Sequence, residues 1–308
     1  MTGLLVALVA LVALSGCSDP GGAGPGDGPP PGGDTSAPFP IDRGDDGPST
    51  PGTYKGLPLR LAENGAPSVT PVDGVIGVVC VGMSNGNQEC GAYIQAVRGP
   101  WAAEVSAQVR VVNCAVGGHA VERWNDPAYD AALWDDCRDR KLAQAGVRPD
   151  QVRVLWHKAA NQFTTGPGGS ALPPYPDPSS DYFAFHRNLA AFAARVGTEL
   201  PSVQAVYTSS RSYGGFAPNP GRGEPLSYEE GHALNTWLAE HPVVDGVWYG
   251  WGPYLWAPSC VSGVTNRSGT CYERGDYVED GVHPSDAGRA KIALLLHQRL
   301  RREAWYRR

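Results

Sequence analysis

Basic residues do not outnumber acidic ones in this sequence, and that shortage limits the partners it can bind. Its 308 residues contain 25 Lys and Arg against 31 Asp and Glu, a formal net charge of −6 at pH 7. Proteins that bind nucleic acid neutralise phosphates with a basic surface. The composition therefore argues against nucleic acid as a main partner.

The chain also lacks any Cys-x-x-Cys pair and any cluster of histidines, so the usual spacing of a zinc site is missing. We predict neither a metal nor an organic cofactor. Six of the seven cysteines follow residue 79, and an even number in an exported chain indicates disulfides. Only the closure of Cys260 with Cys271, across a short Ser/Gly/Thr/Asn loop, is predicted. The pairing of the other four stays open, although Cys80 and Cys114 could be neighbours.

No apolar run is long enough to span a bilayer. Residues 4–14 form a short run that is typical of the core of a signal peptide. The run ends in Leu14-Ser15-Gly16-Cys17, which resembles the lipobox of bacterial lipoproteins. We therefore expect residues 1–17 to be a lipoprotein signal, with a lipid on Cys17 anchoring an exported protein to the outer face of the cell membrane. The alternative is a plain secretory signal with an incidental cysteine.

Large apolar side chains are almost absent from residues 18–53, which are rich in Gly, Pro, Asp and Ser. Such a segment cannot bury a core, so we predict a disordered tether that holds the folded part away from the membrane surface. Residues 54–308 are predicted to form a single domain.

Apolar runs and helical patterns alternate from residue 74 onward. Val75–Val81 is a continuous apolar run, typical of a buried parallel strand. Further strands are predicted at Val109–Asn113, Val152–Trp156, Val203–Thr208 and Val243–Tyr249. Helical patterns cover Asn87–Val97, Pro127–Ala145, Asp181–Val196, Ser227–Glu240, where Ser227 and Glu230 have capping-box spacing, and Pro284–Arg302. This alternation predicts an α/β fold, a three-layer α/β/α sandwich with a five-stranded parallel sheet. Ligands of such folds bind at the carboxyl ends of the strands.

Unusual polar residues follow the predicted strands. The first strand ends in Gly82-Met83-Ser84-Asn85-Gly86, where glycines permit a sharp turn that presents the serine hydroxyl. A serine needs a base to become nucleophilic, and the base needs an acceptor that holds its tautomer. Asp280 and His283, three residues apart in one tight turn, can both point into one site. The second and third strands are followed by Gly117-Gly118 and by Asn161.

These four blocks resemble, in order and spacing, those of the SGNH hydrolase superfamily, the GDSL esterases, over roughly residues 74–300. The resemblance implies a flavodoxin-like sheet, Ser84 as nucleophile, His283 as general base and Asp280 orienting His283. It also implies an oxyanion hole made of the backbone N–H groups of Ser84 and Gly118 and the side-chain amide of Asn161.

The sequence departs from the family pattern in two places. Met83 stands where the first block usually has Asp, and Gln162 stands where Asp usually follows the Asn of the third block. Neither position belongs to the triad, but the first departure weakens any transfer of substrate from Gly-Asp-Ser esterases. The Gly-x-Ser-x-Gly pattern also matches the nucleophile elbow of α/β-hydrolases. We reject that fold because its serine follows several strands and its acid usually lies far upstream of the histidine.

The resemblance implies an ester hydrolase, and together with the export signal it predicts an exported enzyme that removes O-acyl (O-acetyl) groups from a carbohydrate through an acyl-enzyme. A polysaccharide is the expected partner, and His157, Lys158, Arg211 and Tyr213 are candidate substrate contacts. Aromatic residues at 248, 251, 254 and 256 either stack on sugar rings or form core. The alternatives are a lipid or small-ester esterase, an acyltransferase of the same fold, and a catalytically inactive surface binding module.

Overall fold

The computed structural model describes residues 61–126, 128, 132–263, 265–266 and 269–308, and the backbone of 53–54 and 57–58. The predicted signal peptide with Cys17 lies outside the described residues, as does the predicted tether apart from its last residue, Thr53. Within the described part of the chain, no helix is long and apolar enough to cross a membrane.

A six-stranded sheet forms the centre of the structure. Its strands are β3 (Ile76–Gly82), β4 (Val109–Asn113), β5 (Val152–Lys158), β6 (Ala205–Ser209), β7 (Val243–Val244) and β8 (Val247–Trp251), while β1 (Thr53–Tyr54) and β2 (Leu57–Pro58) form a separate antiparallel pair. The order across the sheet is β4-β3-β5-β6-β8-β7. All neighbours are parallel except the edge pair of β7 with β8. The predicted α/β fold with a parallel sheet is confirmed.

The strand count differs from the prediction at one edge. The run predicted as one strand, Val243–Tyr249, is two short antiparallel strands joined at Asp245 and Gly246. Both residues have positive φ, 49° and 81°. An Asp-Gly pair in this conformation forms a tight hairpin turn, which reverses the chain and adds a sixth strand.

The described chain contains seven α-helices, six of them between strands and the seventh after the last strand. They are α1 (Ser84–Arg98), α2 (Val121–Asn125), α3 (Ala132–Asp135), α4 (Leu142–Gln144), α5 (Asp181–Glu199), α6 (Leu226–Glu240) and α7 (Asp286–Leu300). Helices α1 and α7 pack together, and α5 packs against α2 and α6. Because the chain passes from β3 to β4 on one side and then to β5 on the other, these two groups cover opposite faces.

Three helix predictions are corrected in detail. The described part of the segment predicted as one helix, Pro127–Ala145, consists of α3, a π-helical stretch at Asp136–Lys141, and α4. Helix α6 starts at Leu226 after Pro225, so Ser227 lies inside it and forms no capping box. Helix α7 is capped by Ser285, whose Oγ accepts a hydrogen bond from the N–H of Gly288, and Pro284 precedes that cap.

Three disulfides join cysteines that are close in sequence. They are Cys80–Cys90, Cys114–Cys137 and the predicted Cys260–Cys271, in which the Cα atoms are 4.9 Å apart. Cys80 and Cys114 are backbone neighbours, because the N–H of Cys114 donates to the carbonyl of Cys80 at 3.0 Å. Each of these two cysteines nevertheless forms its disulfide with a different cysteine. The first disulfide ties β3 to α1, the helix whose first residue is Ser84.

Candidate active site

Ser84 lies where strand β3 ends and helix α1 begins. Gly82 permits the turn, since its φ is 151° and a Cβ there would come within 2.7 Å of the carbonyl oxygen of Lys158. Met83 is the N-cap residue, so Ser84 is the first residue of α1. The first N–H groups of a helix have no partner within it, and the helix dipole favours negative charge there. The turn thus presents the hydroxyl beside free backbone donors.

The three side chains of the predicted triad lie in hydrogen-bond contact. Ser84 Oγ is 2.8 Å from His283 Nε2, and His283 Nδ1 is 2.5 Å from Asp280 Oδ2. With Nδ1 protonated and donating to Asp280, Nε2 is left to accept the hydroxyl proton of Ser84. This arrangement can activate a serine toward an electrophilic carbon.

The turn that carries Asp280 and His283 is held by its own hydrogen bonds. Asp280 Oδ1 accepts from the backbone N–H groups of Val282 and His283, both at 2.9 Å. The side-chain amide of Asn85, the residue after Ser84, donates to the carbonyl of Val282 at 2.9 Å. This hydrogen bond ties the turn that carries Asp280 and His283, called the base turn below, directly to the turn that carries Ser84.

Asp280 is ionised throughout the neutral range. Burial would raise the pKa of its carboxyl, but the hydrogen bonds from the His283 ring and from the N–H groups of His283 and Val282 outweigh burial and lower the pKa to about 2. The carboxylate therefore remains an acceptor for Nδ1 at any pH at which the imidazole can act as a base.

Gly118 and Asn161 face the same pocket as Ser84 and His283. The pocket has a volume of about 270 Å³. Gly118 has a φ of 75°, a conformation that favours glycine, and Asn161 is almost fully buried. The residues predicted for the oxyanion hole thus line one pocket together with His283.

Of the four candidate substrate contacts, His157 is placed wrongly by the sequence prediction. Its ring is buried and stacks on Phe192 with 3.7 Å between ring centroids. Burial lowers the pKa of His157 to about 3, so the ring is neutral. Side chains alternate along a strand, and this alternation turns His157 toward α5, away from the pocket.

Lys158, Arg211 and Tyr213 do line the pocket. The ammonium of Lys158 donates to Glu89 Oε1 at 2.6 Å, and Nε of Arg211 donates to Glu230 Oε2 at 2.9 Å. Both carboxylate partners are buried, so these two cations are held by the protein. Tyr213 is also buried at the pocket wall.

The aromatic stretch belongs to the core. Each of its four side chains is less than a tenth exposed, and none is among the described residues that line this pocket: Trp248, Trp251, Tyr254 and Trp256. Phe163 is an exposed aromatic side chain, at 62%, and is not itself one of the residues that line the pocket. It directly follows the pocket residue Gln162, and the sequence analysis did not single it out.

The sequence analysis also missed the buried groups behind Asn161. Asp181 and Asn188 hydrogen-bond to its side chain, and Glu230 to its backbone N–H. Asp181 and Glu230 appear in the sequence only as members of helical patterns, and no spacing links them to Asn161. Among the described residues, no group of three or more His, Cys, Asp or Glu could hold a metal ion.

No protein-family model matches the sequence, and no curated protein matches it. Among solved structures, a catalytic mutant of Axe2, an acetylxylan esterase from Geobacillus stearothermophilus, is similar with a TM-score of 0.42 and 15% identity, over 76% of this chain and 97% of that one. The lipase Lip_vut3 from a goat rumen metagenome is similar with a TM-score of 0.40 and 9% identity, over 73% of this chain and 97% of that one. A family 3 carbohydrate esterase from Clostridium thermocellum is similar with a TM-score of 0.38 and 12% identity, over 73% of this chain and 95% of that one.

Substitution of Gly281 should damage both the site and the stability of the fold. Its φ is 65°, and a Cβ there would lie 2.0 Å from the carbonyl oxygen of Phe216. The matched control is Gly146, which has a φ of 66° and open space around it. Both alanine variants should lose about 1 kcal/mol to backbone strain, and Gly281→Ala should lose more because of its contact with the Phe216 backbone. Only Gly281→Ala should also slow fluorophosphonate labelling of the protein, by at least about tenfold, because the base turn must shift. Equal labelling rates in the two variants would contradict this account.

Proposed function

We propose that the protein is a serine ester hydrolase with Ser84 as nucleophile, His283 as general base and Asp280 as the residue that orients His283. The observation that carries the proposal is the continuous hydrogen-bonded series from Ser84 through His283 to Asp280. This series adjoins a pocket that also contains Gly118 and Asn161. A catalytically inactive binding module would have no need for that arrangement.

The geometry supports a two-step reaction. Ser84 Oγ attacks the acyl carbon while its proton passes to His283 Nε2, and the carbonyl oxygen becomes an oxyanion. The N–H groups of Ser84 and Gly118 and the amide of Asn161 stabilise that oxyanion, each by about a hundredfold to a thousandfold in rate. The tetrahedral intermediate collapses, the alcohol leaves with the proton from His283, and an acyl-enzyme remains. Water, deprotonated by His283, then releases the acid and regenerates Ser84.

The Ser84→Ala variant tests the assignment of the nucleophile. Purified wild-type protein should hydrolyse p-nitrophenyl acetate, and Ser84→Ala should lose at least about a thousandfold in kcat, because no other hydroxyl contacts His283 Nε2 among the described residues. Ser227→Ala, which changes another serine that lines the pocket, is the control and should keep its turnover within a few-fold. Undiminished turnover in Ser84→Ala would refute the proposal.

We propose an O-acyl group, most simply O-acetyl, on a carbohydrate as the substrate. A pocket of about 270 Å³ is small for a ligand site, which favours a short acyl group over the long chain of a lipid. Phe163 supports a sugar on the alcohol side, since an exposed aromatic face can stack on a sugar ring. Its loop is fixed, because the N–H groups of Gln162 and Phe163 both donate to Glu122 Oε1, at 2.9 and 3.3 Å.

A substitution at Phe163 distinguishes a carbohydrate esterase from a small-ester esterase. With acetylated xylan as the probe, Phe163→Ala should raise KM about threefold to tenfold through loss of stacking. Its kinetics with p-nitrophenyl acetate should not change, since that ester has no sugar ring to stack on Phe163. Phe163→Tyr keeps the ring and should behave like wild type. Equal KM values of Phe163→Ala and wild type on the polymer would contradict the sugar assignment.

We also propose that the enzyme acts outside the cytoplasm, attached to the membrane by a lipid on Cys17. The lipobox-like residues 14–17 support the anchor, and three disulfides support an oxidising compartment. Expressed in a bacterium, the full chain should partition into detergent, and Cys17→Ala should partition into the aqueous phase. Equal partitioning of the two proteins would rule out the anchor.

A further inference from the structure

The side-chain amide of Asn161 is bound at both ends by buried groups. Its Nδ2 donates to Asp181 Oδ1 at 2.8 Å, and its Oδ1 accepts from Asn188 Nδ2 at 2.8 Å. Its backbone is bound as well, since its N–H donates to Glu230 Oε1 at 3.1 Å and its carbonyl accepts from Arg211. The residue thus has no freedom to turn as a whole.

The carboxylate of Asp181 decides which end of the amide faces which partner. An ionised carboxylate can only accept hydrogen bonds, so it pairs with the NH₂ end and repels the carbonyl end. The NH₂ group carries two hydrogens, and Asp181 accepts only one of them. Among the described residues, no group accepts the other hydrogen, and Asn161 is one of the residues that line the pocket. A flipped amide would instead set a carbonyl oxygen beside both the carboxylate and the reacting acyl oxygen.

Burial and the neighbouring groups shift the pKa of Asp181 in opposite directions, and burial has the larger effect. Burial raises the pKa of its carboxyl, while the hydrogen bond from Asn161 and the charge of Arg211 oppose that rise. Asp181 is also the first residue of the 19-residue helix α5, where the helix dipole favours an anion. The side chain is 2% exposed, so this charge acts through Asn161 and Arg211 and does not reach the solvent.

We propose that Asp181 is a positioning residue, which fixes the direction of the Asn161 amide so that an N–H faces the developing oxyanion. The inference rests on the proposed esterase function and adds a residue to it. Asp181 makes no contact with substrate in this account and acts only through Asn161. The sequence has Gln162 where the family usually places Asp after this Asn, and here the carboxylate comes from α5.

The first test is a double-mutant cycle with p-nitrophenyl acetate as substrate. Asp181→Asn, which is nearly isosteric, should lower kcat at least about tenfold and leave KM within twofold, because a transition-state interaction is lost. The same substitution in an Asn161→Ala background should cause no further loss. Asn188→Ala is the matched control, since it removes a hydrogen bond to the same amide but keeps the carboxylate, and it should lose less than threefold. An Asp181→Asn loss of equal size in both backgrounds would show a general structural role and overturn the inference.

The second test exchanges the two partners of the amide. The variant Asp181→Asn/Asn188→Asp keeps one carboxylate, one amide and the number of hydrogen bonds, so it gives a test even if the single variant does not fold. The exchange should turn the side-chain amide of Asn161 around, so that its carbonyl end takes the place of its NH₂ end. It should lower kcat at least as much as Asn161→Ala does, with a melting temperature near that of Asn188→Ala. Full activity in a folded exchange variant would overturn the inference.

If Asp181 variants keep wild-type kcat while hydrolysis still depends on Ser84, only the inference fails. If wild-type hydrolysis does not depend on Ser84, the proposed function and the inference both fail.

Discussion

The hydrogen bond between Ser84 Oγ and His283 Nε2 joins residues 199 positions apart, and much of the structure serves to hold its two ends. Ser84 begins helix α1, and His283 lies just before helix α7. These two helices pack against each other on one face of the sheet. A register shift between them would separate the serine from its base, so the packing of α1 on α7 is the constraint on which the site depends.

Smaller contacts reinforce the segment before α7. The N–H of Ser285 donates to the carbonyl of Asp276 at 2.9 Å, and the side chain of Asp276 accepts from Lys291 on α7. Lys291 also donates to the carbonyl of Cys271 at 2.9 Å, which links the disulfide loop to the same helix. The loop closed by Cys260 and Cys271 thus supports the base turn through Lys291 and Asp276.

Buried charges form the floor and wall of the pocket. Lys158 pairs with Glu89 beneath the start of α1, and Arg211 pairs with Glu230 beside Asn161. Removing one member of a buried pair leaves an uncompensated charge and is strongly destabilising. The pairs therefore help to fix the shape of the pocket.

The sequence predicted the strands well because β3, β6 and β8 are buried along their whole length and are therefore rich in apolar residues. It also predicted the residues that surround Ser84, since each follows a strand or precedes the last helix. The hairpin at Asp245-Gly246 was missed, although Asp-Gly is a known turn signal. His157 was assigned to the pocket because the alternation of side chains along β5 was not applied. Asp181 could not be found, since only tertiary packing brings α5 to Asn161.

The central claim is that the hydroxyl of Ser84 reacts within an oxyanion site made by the ends of β3, β4 and β5. A crystal structure of the protein after reaction with a fluorophosphonate tests it most directly. We predict a covalent bond from phosphorus to Ser84 Oγ, with the phosphonyl oxygen about 3 Å from the backbone nitrogens of Ser84 and Gly118 and from Asn161 Nδ2. An adduct on another residue, or a phosphonyl oxygen directed away from Gly118 and Asn161, would contradict the account.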